Sequence, residues 1–344
     1  TTEDKPISLI GQEAKPYQQR MEVPKVTDHS MFIVHSTNKY GVTYTEEWDK
    51  ENRTQRWAAY SITDINSVSN WKRDNWKGTV WKGAYWNGDP FQEDSVIPHM
   101  YRTYASDHYN NGFDRGHIVN SADRLMSKNA NGQTYYLSNM QPQTNGFNAG
   151  IWLNMENWVH NLGFSKQKRK TLYIAKGGTT TPTEKTPNPF LNPDEVKAMN
   201  HNRNVTIRVP RYFWMAILRL DKNDQYHAIA FWAEHRDNQD NNIKNYTISV
   251  DELERRTGID FFCNLPDDIE NVVLLGDQFC PLYFFLAFLI TLLELVGSLL
   301  DVFCRHGAGI HCGVDLFRIL HILLQQFPFK SVEHYHSLRF HYRT

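Results

Sequence analysis

The chain has 344 residues, with 37 Lys+Arg against 38 Asp+Glu, so its formal net charge is −1. Hydrophobic residues make up 40% and charged residues 22%, a globular composition that excludes a disordered or collagen-like chain. The near-zero balance excludes a globally basic nucleic-acid coat, so an anionic ligand must meet a local patch or a metal ion, and the four Cys are too few for a disulfide-built scaffold.

The average hides a split. All ten Trp lie between Trp48 and Trp232, whereas residues 276–344 lack Trp and Asn and hold Cys280, Cys304 and Cys312. Residues 1–30 are polar, carry Pro6, Pro16 and Pro24, and lack the basic-then-apolar pattern of a signal peptide; they read as an extended leader or a trimmed start. From Met31 the text becomes strand-like. Met31 to His35, Tyr40 to Thr45 and Arg56 to Ile62 are apolar or alternating runs divided by polar turns, so a meander is expected. Residues 66–113 are rich in Asn, Asp, Gly and Trp and read as long loops, where function often sits. Their Trp side chains read as packed beneath those loops, with stacking on bases as the sharper alternative.

Tyr135 to Leu137 reads as a short strand, and Ala149 to His160 as a helix with Trp152, Met155, Glu156 and Val159 at helical spacing. Lys166 to Lys170 reads as a solvated basic helix terminus. Further strands are expected at Thr171 to Ala175, Asn204 to Val209, Tyr212 to Leu220 and His227 to Trp232. Ser249 to Thr257 reads as a helix with Ser249 as N-cap, Glu252 completing a capping box and Gly258 as the stop. The sum is mixed α+β with a substantial central sheet.

Chemistry concentrates in Asp114-Arg115-Gly116-His117, then Leu137-Ser138-Asn139, then Asn148-Ala149-Gly150-Ile151-Trp152 and Glu156. Asn148 and Glu156 are about two helical turns apart on one face, where an amide oxygen and a carboxylate can hold a hard divalent cation. His117 can take a proton from water. Arg115, two residues earlier on the same strand face, can meet a phosphate. Base, cation and Arg together are what phosphodiester hydrolysis requires. Taken singly the same residues have blander readings: Asn148 as a helix N-cap, Glu156 on a solvated helix face, Asn139 in a turn.

These blocks, with Arg56-Trp57-Ala58-Ala59-Tyr60 and Val250 to Gly258, resemble the DNA/RNA non-specific endonucleases of the ββα-metal (His-Me finger) superfamily. The likeness is to secreted bacterial nucleases of the Serratia type and to mitochondrial endonuclease G, and it covers roughly residues 31–273. The resemblance implies an α+β fold, a central antiparallel sheet or sheets with helices, containing a ββα-metal motif. It implies His117 as general base and Asn148 as the direct ligand of Mg²⁺, with Mn²⁺ as a substitute. Glu156 then holds the metal through water, Arg115 faces the phosphate and Asn139 positions the His. The implied reaction is Mg²⁺-dependent cleavage of DNA and RNA to 5′-phosphate products, with a rate that rises with pH through the His117 pKa.

Two departures stand out. Where the family often has an arginine before an Asn-Trp pair, Ser69 precedes Asn70-Trp71, and Arg73 is the substitute for substrate contact. Ala175-Lys176-Gly177-Gly178 replaces the commoner Thr-Gly-Pro and reads as a loop detail. A nucleic-acid binder with an inactive nuclease domain is therefore the first alternative.

The expected organisation is a leader over 1–30, a nuclease domain over 31–275 and an apolar, then His-rich tail over 276–344. Residues 279–303 have the length of a membrane span, which keeps a membrane-anchored protein as the second alternative. Cys304, His306, His311 and Cys312 have zinc-ligand types at poor spacing, and the abrupt change in composition also suits an extension foreign to the domain. The expected location is secreted or periplasmic in a bacterium, or membrane-anchored through the tail, and a homodimer stays open.

Overall fold

The computed structural model describes residues 3–180, 194–197, 204–266, 269 and 273. Its elements in chain order are β1 (Pro6–Ile10), β2 (Met31–Thr37), β3 (Gly41–Asp49), β4 (Thr54–Ile62), β5 (Lys77–Trp81), β6 (Ala84–Asn87), β7 (Asp114–His117), α1 (Lys128–Gln133) and β8 (Met140–Gln143). There follow α2 (Leu153–Phe164), β9 (Thr171–Gly178), β10 (Asp194–Lys197), β11 (Thr206–Val209), β12 (Tyr212–Leu220), β13 (Tyr226–Glu234), β14 (Thr247–Ile248) and α3 (Val250–Thr257). All belong to one unit, Thr1–Cys280.

Period-two alternation builds the main sheet, whose order is β1-β2-β3-β4-β9-β12-β13-β14 with every neighbouring pair antiparallel. Trp57, Ala59, Trp214, Ala216 and Leu218 face one side, where Val250 and Leu253 of α3 cover them. Ala58, Tyr60, Ile62, Phe213, Met215 and Ile217 face the other, against Trp152, Met155 and Val159 on or just before α2. Both faces are dry, which is why β12 reads as a nearly unbroken apolar run. The α+β class expected from the sequence is the observed one, a large antiparallel sheet with few helices.

Several local readings change. Pro6–Ile10, read as leader, pairs antiparallel with β2 as an edge strand, and Ala14 and Val23 are buried in the core. Tyr135 to Leu137 makes only a single bridge, Tyr136 beside Gln92, with the Gln92 N–H donating to the Tyr135 carbonyl at 3.3 Å and the Leu137 N–H to the Gln92 carbonyl at 2.9 Å; its aromatic rings pack inward, and the ladder with β7 starts at Met140. The helical run opens at Asn145, so Asn148 has helical dihedrals (φ −60°, ψ −47°) and is no N-cap. Ser249 does cap α3, accepting from the Glu252 N–H at 3.1 Å, and Gly258 closes it in the left-handed region at φ 67°. The Glu252 carboxylate turns instead to Arg255 and Arg256. Within the basic run 166–170, Arg169 is fully buried and donates to the Gly163 carbonyl, Asp64 and Ser67, so it pins the end of α2 rather than meeting solvent.

Trp76 and Trp81 pack with Tyr136 in a small aromatic core, with Trp71 and Trp86 against it. The span and zinc-type readings of residues 276–344 lie outside the described residues; among the described residues no helix is long and apolar enough to cross a membrane.

Candidate active site

The site grows from β7 and β8, which pair antiparallel with Asp114 opposite Gln143 and His117 opposite Met140. Alternation sets Arg115 and His117 on one face and Asp114 and Gly116 on the other. Gly116 is required by a close approach: a Cβ there would lie 2.3 Å from the Gln143 side chain. Just past His117, Asn139 clamps the chain. Its Oδ1 accepts from the Val119 N–H at 2.8 Å, and its Nδ2 donates to the Val119 carbonyl at 3.0 Å and the Thr134 carbonyl at 2.8 Å. Asn139 is fully buried, so its amide is spent on fixing the exit of β7.

The helix is tied to β7 at both ends. Asp114 Oδ2 accepts from Asn145 Nδ2 at 3.0 Å and from Asn148 Nδ2 at 3.1 Å. Trp152 Nε1 donates to the His117 carbonyl at 3.2 Å. With Nδ2 of Asn148 committed to Asp114, its Oδ1 is the atom available to a cation.

The His117 ring meets Tyr135 edge-on at 4.9 Å and Phe91 at 5.7 Å. As a residue it is half-buried, but Nε2 itself is sealed and without a hydrogen-bond partner. Burial, and then the positive charges of Arg73, Arg115 and Lys176, outweigh Asp89 and pull its pKa down to about 3. The imidazole is therefore neutral throughout the ordinary pH range. Arg115 lays its guanidinium 3.8 Å over the Phe91 ring and 4.9 Å over Tyr109. Arg73 is held by Asp89, which accepts from its Nε at 2.7 Å.

Glu156 is buried, and burial pushes its carboxyl up to about 7 against the opposing pull of Lys176. Lys176 Nζ sits 3.6 Å from Glu156 Oε1, and neither atom has a hydrogen-bond partner. The ammonium also lies 5.6 Å from the Tyr60 ring and 5.7 Å from that of Trp152. Lys176 is thus no loop detail. It stands inside β9, fully buried, and forms a wall of the site.

The structure therefore gathers Arg73, Arg115 and Lys176 around His117 and carries Asn148 and Glu156 on a helical run tied to the same strand, broken between them at Gly150 (φ −101°, ψ −115°), so they are not separated by two regular turns of one helix. Sequence reasoning missed Asp89, Phe91, Tyr135 and Lys176. The only signal for the first two was the loop-rich, low-period text of 66–113.

A strand pair ending in His, followed by a helix that offers an amide and a carboxylate, defines the ββα-metal class of nuclease site. Residues 32–268 match the DNA/RNA non-specific endonuclease family, and the chain belongs to that family of metal-dependent phosphodiester hydrolases. It is 29% identical over 258 residues to a nuclease of Nostoc sp., covering 72% of this chain and 79% of that protein. It is 29% identical over 189 residues to nuclease C1 of Cunninghamella echinulata, covering 54% of this chain and 69% of the relative. It is 31% identical over 183 residues to the mitochondrial nuclease of Saccharomyces cerevisiae, covering 51% and only 54%. In fold it resembles a chain of the EndoG/EndoGI complex, with a TM-score of 0.57, 20% identity, and coverage of 75% of this chain and 96% of that one.

Proposed function

We propose that this protein is a Mg²⁺-dependent endonuclease that hydrolyses DNA and RNA to 5′-phosphate products, with His117 as general base. The observation that carries the reading is a neutral, half-buried imidazole ringed by cations and tied through Trp152 to the helix of Asn148 and Glu156. The residues fit a hard divalent cation. Asn148 Oδ1 is left over by the Asp114 bond, and Glu156 Oε1 is a buried carboxylate oxygen without a hydrogen-bond partner. When bound, that cation supplies electrostatic stabilisation of the phosphate in the transition state.

The rest falls to the chain. With Nε2 sealed, Nδ1 of His117 is the nitrogen assigned to take the proton from the attacking water. Tyr135 and Phe91 fix the ring plane, and Asn139 fixes the backbone that carries it. Arg115, with Phe91 and Tyr109 restricting its guanidinium, meets the phosphate, and Arg73 adds positive charge from the Asp89 side. All of these groups address sugar-phosphate features common to DNA and RNA, which suits low base specificity.

The test is plasmid and RNA degradation by the purified chain in Mg²⁺, in EDTA, and with His117→Ala. Cleavage should need the cation and fall by about 10²-fold or more in the variant. Retention of DNA binding with no cleavage by wild type in Mg²⁺ would establish the inactive-binder alternative instead.

A further inference from the structure

Away from His117, three side chains from separate elements converge: His35 on β2, Glu46 on β3 and Asp94 in the loop after β6. His35 and Glu46 are 0% exposed and Asp94 is 2% exposed. His35 Nε2 lies 3.0 Å from Asp94 Oδ2 and 3.5 Å from Glu46 Oε1. Neither contact has hydrogen-bond geometry at Nε2, and both Glu46 oxygens also lack a hydrogen-bond partner. Buried polar atoms rarely stay unpaired, and here they face one another.

Charge is compatible with a cation. Two carboxylates share one imidazole; a protonated imidazole offsets Asp94, and Glu46 is then neutral only as the carboxylic acid, towards which its burial pushes it. A divalent cation with a neutral imidazole and two carboxylates closes the balance to zero in a dry interior. The spacing also suits a small cation. Tetrahedral zinc with ligands at about 2.0–2.2 Å separates neighbouring donors by roughly 3.3–3.6 Å. The 3.5 Å contact meets that range, and the 3.0 Å contact needs only a small opening.

The surroundings have the form of supports for metal ligands. Ser8 Oγ lies 2.8 Å from His35 Nδ1, placed to accept its proton and leave Nε2 as the donor nitrogen, and Ser138 Oγ donates to Asp94 Oδ2 at 2.8 Å. The Tyr44 and Tyr136 rings hold the imidazole at 4.7 and 5.0 Å.

We propose that His35, Glu46 and Asp94 form a buried structural site for one zinc-class divalent cation, separate from the phosphodiester site. The cation staples the loop that carries Asp89, Phe91 and Asp94 to β2 and β3. It thereby steadies the groups that pack on His117 and Arg115. The assignment does not depend on the reaction proposed above.

Zinc is the probe. The full chain is stripped with a chelator, loaded with Zn²⁺ and crystallised, and anomalous scattering is measured at the zinc edge. An anomalous peak among the three side chains is expected. The absence of a peak there at saturating zinc overturns the site, and this measurement needs no variant. In solution, Glu46→Gln should bind one equivalent fewer and lose the zinc-dependent rise in melting temperature. His117→Ala and the Cys304→Ser/Cys312→Ser pair should keep both. Unchanged stoichiometry in folded Glu46→Gln equally overturns the site.

Discussion

At the scale of single residues, burial redistributes the titrations of the site. The sequence predicts a rate that rises through an ordinary His pKa, but sealing Nε2 among aromatic rings and cations brings His117 down to about 3. Spacing identifies which face a side chain takes; it does not reveal how deeply one atom of it is sealed. The rising limb therefore passes to Glu156, which burial raises to about 7. Its sign follows from the charge that a cation needs: below that pH the carboxyl is neutral, above it the carboxylate can face the metal, so rate rises with pH. Added Mg²⁺ favours the carboxylate and should move the limb to lower pH. Lys176→Met removes the neighbour that holds Glu156 down and should move it to higher pH. Single-turnover cleavage from pH 5 to 9 at two Mg²⁺ concentrations reads all three effects. A limb that survives unshifted in Glu156→Gln assigns it to another group.

At the scale of elements, the β7–β8–helix unit depends on the Gln143 side chain lying directly over Gly116. Gly116→Ala drives a methyl into Gln143 and should cost about 1–3 kcal/mol of stability. Activity should fall further than the loss of folded protein accounts for, because His117 is the next residue and angstrom shifts at a reacting group are expensive. Gln143→Ala in the same chain opens the space and should restore part of both, as read by chemical denaturation beside cleavage rates. A double variant no better than Gly116→Ala argues against the steric account.

The same unit shows what could be read in advance. β4 and β12 were legible because residues alternate between two apolar cores. β8 was not: Gln141, Pro142 and Gln143 are buried by packing, with Gln141 Nε2 donating to the Gln55 carbonyl, and no apolar pattern betrays them. Tyr135 to Leu137 misled in the opposite direction, because its aromatic character reads as a full strand where the backbone makes a single bridge to Gln92. Asp114, Arg115, His117, Asn148 and Glu156 were visible as motif residues. Lys176 was not, since its burial depends on the strand register that sets it beside Glu156.

At the scale of the molecule, polar composition was a poor guide to which segments the fold needs. β1 supplies the edge partner of β2, Gln133 Nε2 donates to the Ile7 carbonyl at 3.2 Å, and Ala14 and Val23 close the core under α3. Removing residues 1–30 should therefore lower the melting temperature sharply. It also bares the β2 edge, so association through that edge is expected. A cut after Leu275 is expected to behave differently. The family match ends at residue 268, and Ile269 and Val273, which still pack on the core, are retained. We propose that this shortened chain keeps both its melting temperature, within a few degrees, and its metal-dependent cleavage. Its net charge also stays at −1, because residues 276–344 carry five basic and five acidic side chains. Salt dependence of substrate binding should accordingly be shallow and equal in the two forms, set by a few placed cations such as Arg115 and Arg73 and not by the surface as a whole. Melting curves and nuclease assays on both truncations decide the point. Loss of fold and cleavage together in the chain cut after Leu275 would make residues 276–344 part of the domain.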